Sequence, residues 1–254
     1  MGCMPPSAQP QLAQSLIDAL HLTQPPVAIS FADEVPSGVT AFPGTVAAGC
    51  RFWQEAASRV FATAPAQHEL CSIGVYTHNL ESTPAQQKDL GDALKVFGDL
   101  GYVRPEDIPM IPVLRKQARV VVYGPLGQTP LPADVVLLFV KADQTLILSE
   151  ASQQLEAGLP PAMGRPACAV IPQAFNSGQT ALSLGCCGAR AYLDTLTPDV
   201  ALYAVPGANL AAFTGRVVAL SKANAILTAF HTRRRADVEA GLRPTVMESV
   251  AAIS

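Results

Sequence analysis

A chain of 254 residues with 49% hydrophobic and 15% charged residues can bury a large core and leaves little composition for disorder. Its net charge of −3, with a single short basic cluster, argues against a nucleic-acid groove, which needs clustered Lys and Arg. The one basic cluster, Arg233-Arg234-Arg235, falls where a helix C-terminus favours positive charge.

The first residues, Met1-Gly-Cys-Met-Pro-Pro, lack the basic start and apolar stretch of a signal peptide. Position 6 is Pro, which removes a myristoylation pattern. Apolar runs such as 135–140 are too short to span a bilayer. The expectation is a cytoplasmic protein without a membrane partner. Its six cysteines, at positions 3, 50, 71, 168, 186 and 187, then read as reduced, metal-binding or catalytic.

In chain order, residues 1–10 are Pro- and Ser-rich and read as a flexible N-terminus. Leu12, Leu16, Ile17 and Leu20 have helical spacing, ended by Gln24-Pro25-Pro26. A strand over 27–31 follows, then a loop over 33–49 and a helix over 52–62. Ser72–His78 reads as a strand or turn. Thr83-Pro84 starts a helix that runs to Leu100. Residues 105–112 form a proline-punctuated connection.

Further strands are expected over 119–123, 134–140, 167–171, 182–186 and 200–205. Helices are expected over 146–155, 209–213 and 217–235, with a short helix or turn over 172–180 ending at Ser177-Gly178. The continuous apolar strands imply a sheet covered on both faces. The alternation of elements predicts an α/β or mixed α+β fold. It is one domain over 11–240 with a mixed, largely buried sheet flanked by helices and a tail over 241–254.

The densest chemistry lies in Gly185-Cys-Cys-Gly-Ala-Arg190. A strand entering this run would expose a thiol at a sheet edge, Gly188 would turn the backbone, and Arg190 would add a fixed positive charge. Cys50 and Cys71 also stand at loop ends, where amide N–H groups can face a sulfur. Neither a zinc ribbon nor a thioredoxin site is supported, because no C-x-x-C pair occurs. Cys168, inside an apolar run, reads as core. Val122-Tyr-Gly-Pro-Leu-Gly127 has neither spacing of a nucleotide loop.

Several stretches together carry a family resemblance. They are Pro26-Val-Ala-Ile29, Cys50-Arg-Phe-Trp53, Cys71-Ser-Ile-Gly-Val-Tyr-Thr-His78, Val122-Tyr-Gly-Pro125, Gly164-Arg-Pro-Ala-Cys168, Asn176-Ser-Gly178 and Leu182–Arg190. Over roughly residues 12–235 the chain resembles the poorly characterised ArCR family of archaea and bacteria. The family pattern carries Cys at the positions of Cys50, Cys71 and Cys186, while the position of Cys187 is usually another residue. The resemblance implies one site built from Cys50, Cys71 and Cys186, with Cys187 as the alternative to Cys186. It brings no established reaction.

Three thiolates suit a [4Fe-4S] cluster with one open iron, the favoured reading, or a zinc ion with an open or His-filled position. The functional expectation is an intracellular protein that binds such a cluster or zinc through Cys50, Cys71 and Cys186. It would act on a small anionic molecule, with His78 moving a proton and Arg190 holding the anion. Two other readings stay open: a thiol-based redox or metal sensor using Cys186 and Cys187, and a binding module with structural cysteines. Homo-oligomerisation is left open.

Overall fold

Val135, Leu137 and Phe139 belong to one hydrophobic cluster, and Val136, Leu138 and Val140 to another. That alternation along a single strand divides the molecule into layers, because successive strand side chains point to opposite faces. A computed structural model describes residues 5–156, 158–160, 162–163 and 166–251. Its strands are β1 (Val27–Ala32), β2 (Phe61–Thr63), β3 (Val120–Pro125), β4 (Val135–Val140), β5 (Ala162–Met163), β6 (Ala181–Ser183) and β7 (Ala201–Pro206). They form one sheet in the order β2-β3-β1-β4-β7-β6-β5.

Every pairing is antiparallel except β5 with β6. The fold is thus mixed α+β, as expected, but its buried strands are not the parallel strands of crossover units. β3 and β4 read as unbroken apolar runs because both faces are covered: each is buried along its whole length. Residues Val27 to Ala32 of β1 face Pro125 to Val120 of β3, which fixes the register at the sheet centre.

One face carries α1 (Gln9–Leu20), α5 (Ala142–Glu156) and α8 (Leu210–Glu239), with Leu16, Leu148, Phe213 and Val217 buried among them. The other carries α2 (Arg51–Glu55), α3 (Ser72–Thr77), α6 (Val170–Ser177) and α7 (Cys187–Tyr192) against Phe31, Tyr123, Leu137 and Leu202. The long α4 (Pro84–Asp99) packs on α3. Its start is a capping box: the Gln86 amide N–H donates to Thr83 Oγ1 and the Thr83 N–H to Gln86 Oε1. A short α9 (Val246–Ala251) lies against α8, within the segment expected to be a tail.

α1 begins at Gln9, inside the segment expected to be flexible. The Gln9 side chain is buried, donating to the Leu131 carbonyl and accepting from the Ala133 N–H. Residues 210–213 and 217–235 belong to one helix, α8, capped by Asn209 and with Arg216 and Lys222 inside it. By length and composition Gly207–Glu239 would suffice to cross a membrane. Its first half is instead held on the sheet by Leu210, Phe213 and Val217.

Four expected elements differ. The strand over 167–171 is a 3-10 turn, Ala167–Ala169, that runs into α6. Pro166 precedes the turn and Pro172 sits in the first turn of α6, where a missing N–H costs nothing. Gly178, at φ +67°, ends the helix. The helix over 52–62 stops at Glu55, and β2 takes up Phe61–Thr63 against Tyr123–Val121 of β3. The strand over 182–186 is shortened to Ala181–Ser183, because Gly185 turns at φ +79°. Ser72–Thr77, read as strand or turn, is α3.

Candidate thiol-rich site

The thiols of Cys50, Cys71, Cys168 and Cys186 all sit on the α2/α3/α6/α7 face, each partly buried. Cys50 is the cap residue before α2 and Cys71 the one before α3. Cys186 caps α7, and its sulfur accepts from the Ala189 N–H at 3.4 Å. Cys168 lies in the turn before α6 and accepts from the Thr77 hydroxyl at 3.3 Å. Four loop-to-helix junctions thus deliver four sulfurs to one side of the sheet.

The sulfurs are close enough to repel one another when ionised. Burial first, then Cys71 and Cys186, push the Cys50 thiol up to about 12. Cys168 is pushed further up by burial and by Cys71, Cys186 and Cys50. Burial also raises Cys71, while the amides of Gly49 and Gly74 favour its thiolate. The Tyr123 hydroxyl beneath them is raised by burial and by Cys71, Cys168 and Cys50.

Two buried histidines complete the cluster. His68 and His78 have ring centroids 6.4 Å apart. Burial, then the neighbouring His78, lower His68 to about 3. Burial lowers His78 to about 4. His78 Nδ1 donates to the Gly74 carbonyl at 2.9 Å. His68 Nε2 lies 3.0 Å from Thr63 Oγ1. His68 Nδ1 and His78 Nε2 are buried without a hydrogen-bond partner among the described residues.

The backbone makes room for this group. A Cβ on Gly74 would fall 2.8 Å from Cys71 Sγ and 3.8 Å from His68 Nδ1. One on Gly49 would fall 3.2 Å from His68 Nδ1 and 3.5 Å from Cys71 Sγ. Soft sulfur donors, thiolate-favouring amides and a bare imidazole nitrogen are the donor set of a zinc or iron–sulfur site. Among the described residues, no three His, Cys, Asp or Glu side chains are gathered as one metal ion would need them.

Cys186 also reaches the wall of a cavity of about 540 Å³. Ile73, Leu90, Leu94 and Phe97 line it, with Tyr76 and Tyr102 as polar handles. Among the described residues the lining includes one charged residue, Asp107, which Arg104 grips through two hydrogen bonds of 2.7 and 2.8 Å. Arg104 and its hydrogen bonds hold the Asp107 carboxyl below its usual range. Cys187 is exposed and faces the cavity rather than the other thiols.

Two expectations change here. Arg190 was expected to hold an anion. Its Nη1 donates to the Leu196 and Thr197 carbonyls, and its Nη2 to the Leu184 and Val200 carbonyls. The guanidinium braces the loop around Cys186, with no Nη hydrogen left for an anion. Gly188 was expected to make the turn, but it lies within α7 and Gly185 makes it.

The structure brings Cys50, Cys71, Cys186 and His78 to one region. It adds Cys168, Tyr123 and His68. His68 was missed in the sequence, although His68-Glu-Leu-Cys71 sets an imidazole three residues before a thiol. Cys3 lies outside the described residues.

A family model described as uncharacterised ArCR matches residues 15–214, so the chain belongs to that family. No curated protein and no solved structure matches it.

Proposed function

For this member of the ArCR family, we propose that Cys50, Cys71 and Cys186 hold an iron–sulfur cluster and present it to a small molecule in the adjoining cavity. The proximity of three thiols from distant chain segments, one of which, Cys186, reaches the wall of that cavity, carries the reading. A cluster suits them better than one zinc ion, since its irons and sulfides separate the ligands. Zinc needs sulfurs about 3.8 Å apart, from Zn–S bonds of about 2.3 Å. When bound, a cluster with an iron lacking a thiolate supplies a Lewis acid for an oxygen or sulfur atom.

The chain's own residues would do the rest. Gly49 and Gly74 amides favour the Cys71 thiolate, and the Ala189 amide faces Cys186. Arg190 holds the Cys186 loop in place. Ile73, Leu90, Leu94 and Phe97 would exclude water from the bound molecule. With Arg190 engaged and Asp107 the charged lining residue among the described residues, a largely apolar molecule with one heteroatom end is favoured over a small anion. His78, held neutral by burial, serves as a buried polar neighbour rather than a proton carrier near pH 7.

The test is purification without oxygen, followed by iron, zinc and acid-labile sulfide analysis. Wild-type protein should carry iron and sulfide. Cys50→Ser, Cys71→Ser and Cys186→Ser should lose them while keeping a folded circular-dichroism spectrum. Wild-type protein that binds no iron and sulfide, with or without zinc, overturns the proposal.

A further inference from the structure

We infer that His68, through Nδ1, is a fourth protein ligand of the thiol centre, beside Cys71. The inference rests on the metal-binding reading above and adds a nitrogen donor to the position that lacks a thiolate, so a bound molecule would have to add beside, or displace, that nitrogen.

The argument starts from the hydrogen of the ring. His68 Nε2 is 3.0 Å from Thr63 Oγ1, and the Thr63 hydroxyl donates to the Val121 carbonyl at 3.4 Å. With its hydrogen directed to that carbonyl, Thr63 accepts from His68. The imidazole hydrogen therefore sits on Nε2, and Nδ1 presents a lone pair. A second nitrogen tied to a fixed acceptor is the usual support of a metal-bound histidine.

The lone pair then has nowhere else to go. His68 is fully buried, and Nδ1 has no hydrogen-bond partner among the described residues. The Phe52 ring packs against the imidazole with centroids 4.8 Å apart, which holds its plane. The two glycines fix where Nδ1 looks. Gly49 and Gly74 come from different segments, yet a Cβ on either would meet both His68 Nδ1 and Cys71 Sγ. Nitrogen and sulfur thus border one space, kept open by two absent side chains.

His78 is the rival donor, since its Nε2 is also bare. Its neighbours are the Gly74 carbonyl, the Thr77 hydroxyl, the Phe31 ring and the His68 ring, none of them a thiol. His21 caps α1 and His231 lies in α8, both helices of the opposite face. Position therefore singles out His68 among the four histidines.

The probe is full-length protein reconstituted without oxygen from ferrous iron and sulfide, reduced with dithionite and studied by pulsed electron paramagnetic resonance. Protein labelled with 15N-histidine should show a strong nitrogen coupling to the reduced cluster. His68→Asn should lose the coupling and His78→Asn should keep it. If His68→Asn does not fold, a coupling kept in His78→Asn carries the assignment. A wild-type cluster without nitrogen coupling overturns the His68 inference and leaves the cysteine reading standing. So does a coupling lost in His78→Asn alone. A wild-type protein that takes up no iron and sulfide overturns both.

Discussion

Cys187 Sγ lies 3.2 Å from the Tyr102 hydroxyl, across 85 positions of sequence. The contact joins the first residue of α7 to the loop beyond α4 and closes one side of the cavity. Cys187 is exposed there, and Cys186 but not Cys187 is among the groups that push up Cys50 and Cys168. Cys187→Ser should therefore keep iron and sulfide at the wild-type level, whereas Cys186→Ser should lose them. Equal losses in both variants would make the pair a joint thiol site.

The same difference sets reactivity in metal-free protein. A thiol pushed up to about 12 has roughly one part in ten thousand as thiolate at pH 8, and the thiolate is the nucleophile. Iodoacetamide at pH 8 should modify exposed Cys187 well before Cys50, read by peptide mass mapping. Cys50 modification should rise about tenfold per pH unit towards pH 11. Early labelling of Cys50 would mean that its junction opens in solution.

The buried histidines predict a pH dependence for the metal-free fold. Both have lowered values, to about 3 and about 4. The unfolded chain then binds the extra protons below the ordinary value of about 6.5. Stability is complete above that pH and falls as pH drops towards the folded values, by up to about 1.4 kcal/mol per pH unit for each ring. Urea denaturation at pH 7 and pH 5 should show the loss. His68→Asn and His78→Asn should each flatten the slope by about half. An unchanged slope in both variants would assign the acid sensitivity to other groups.

Much of the scaffold was readable because it obeys short-range rules. β1, β3, β4 and β7 are long apolar runs, and α4 is announced by Thr83-Pro84 with Gln86. The misread segment, 167–171, is short and apolar. Such a run fits a buried helix turn as well as a strand, and its prolines decide the matter. β2 was hidden because its three residues become a strand only by pairing with Tyr123. The proximity of Cys50, Cys71 and Cys186 was readable through the family pattern. His68 and Cys168 were not, because their roles depend on which face of the sheet their turns meet. Arg190 was misjudged for a related reason: the carbonyls that bind it are brought in by the 193–200 loop.

That loop gives Arg190 a measurable structural weight. Its guanidinium bonds four carbonyls, at Leu184, Leu196, Thr197 and Val200. Bonds to a charged group contribute about 1.5–3 kcal/mol each, less where water reaches them, and they do not add fully. Arg190→Ala should cost about 2–4 kcal/mol in chemical denaturation and lower iron content with it. Arg190→Lys should recover part of the loss, since an ammonium cannot span the same fork. Unchanged stability in Arg190→Ala would release the guanidinium for a ligand.

A glycine series separates room kept for the site from room kept for the fold. A Cβ at Gly207 would fall 1.6 Å from the Ala133 carbonyl oxygen, which is backbone and cannot swing aside. Gly207→Ala should break the junction of β4 and β7 and leave little folded protein. At Gly74 the obstacle is Cys71 Sγ at 2.8 Å, the end of a short side chain. Gly74→Ala should fold, at a cost of about 1–3 kcal/mol, and displace the sulfur. Iron and sulfide should then fall more steeply than stability does. At Gly188, inside α7, a Cβ would meet nothing within 4 Å. Gly188→Ala should stabilise by about 0.5–1 kcal/mol through helix propensity and keep its iron. Thermal melts and iron analysis of the three variants test the order. If Gly74→Ala keeps full iron content, Cys71 does not occupy the ligand position assigned to it.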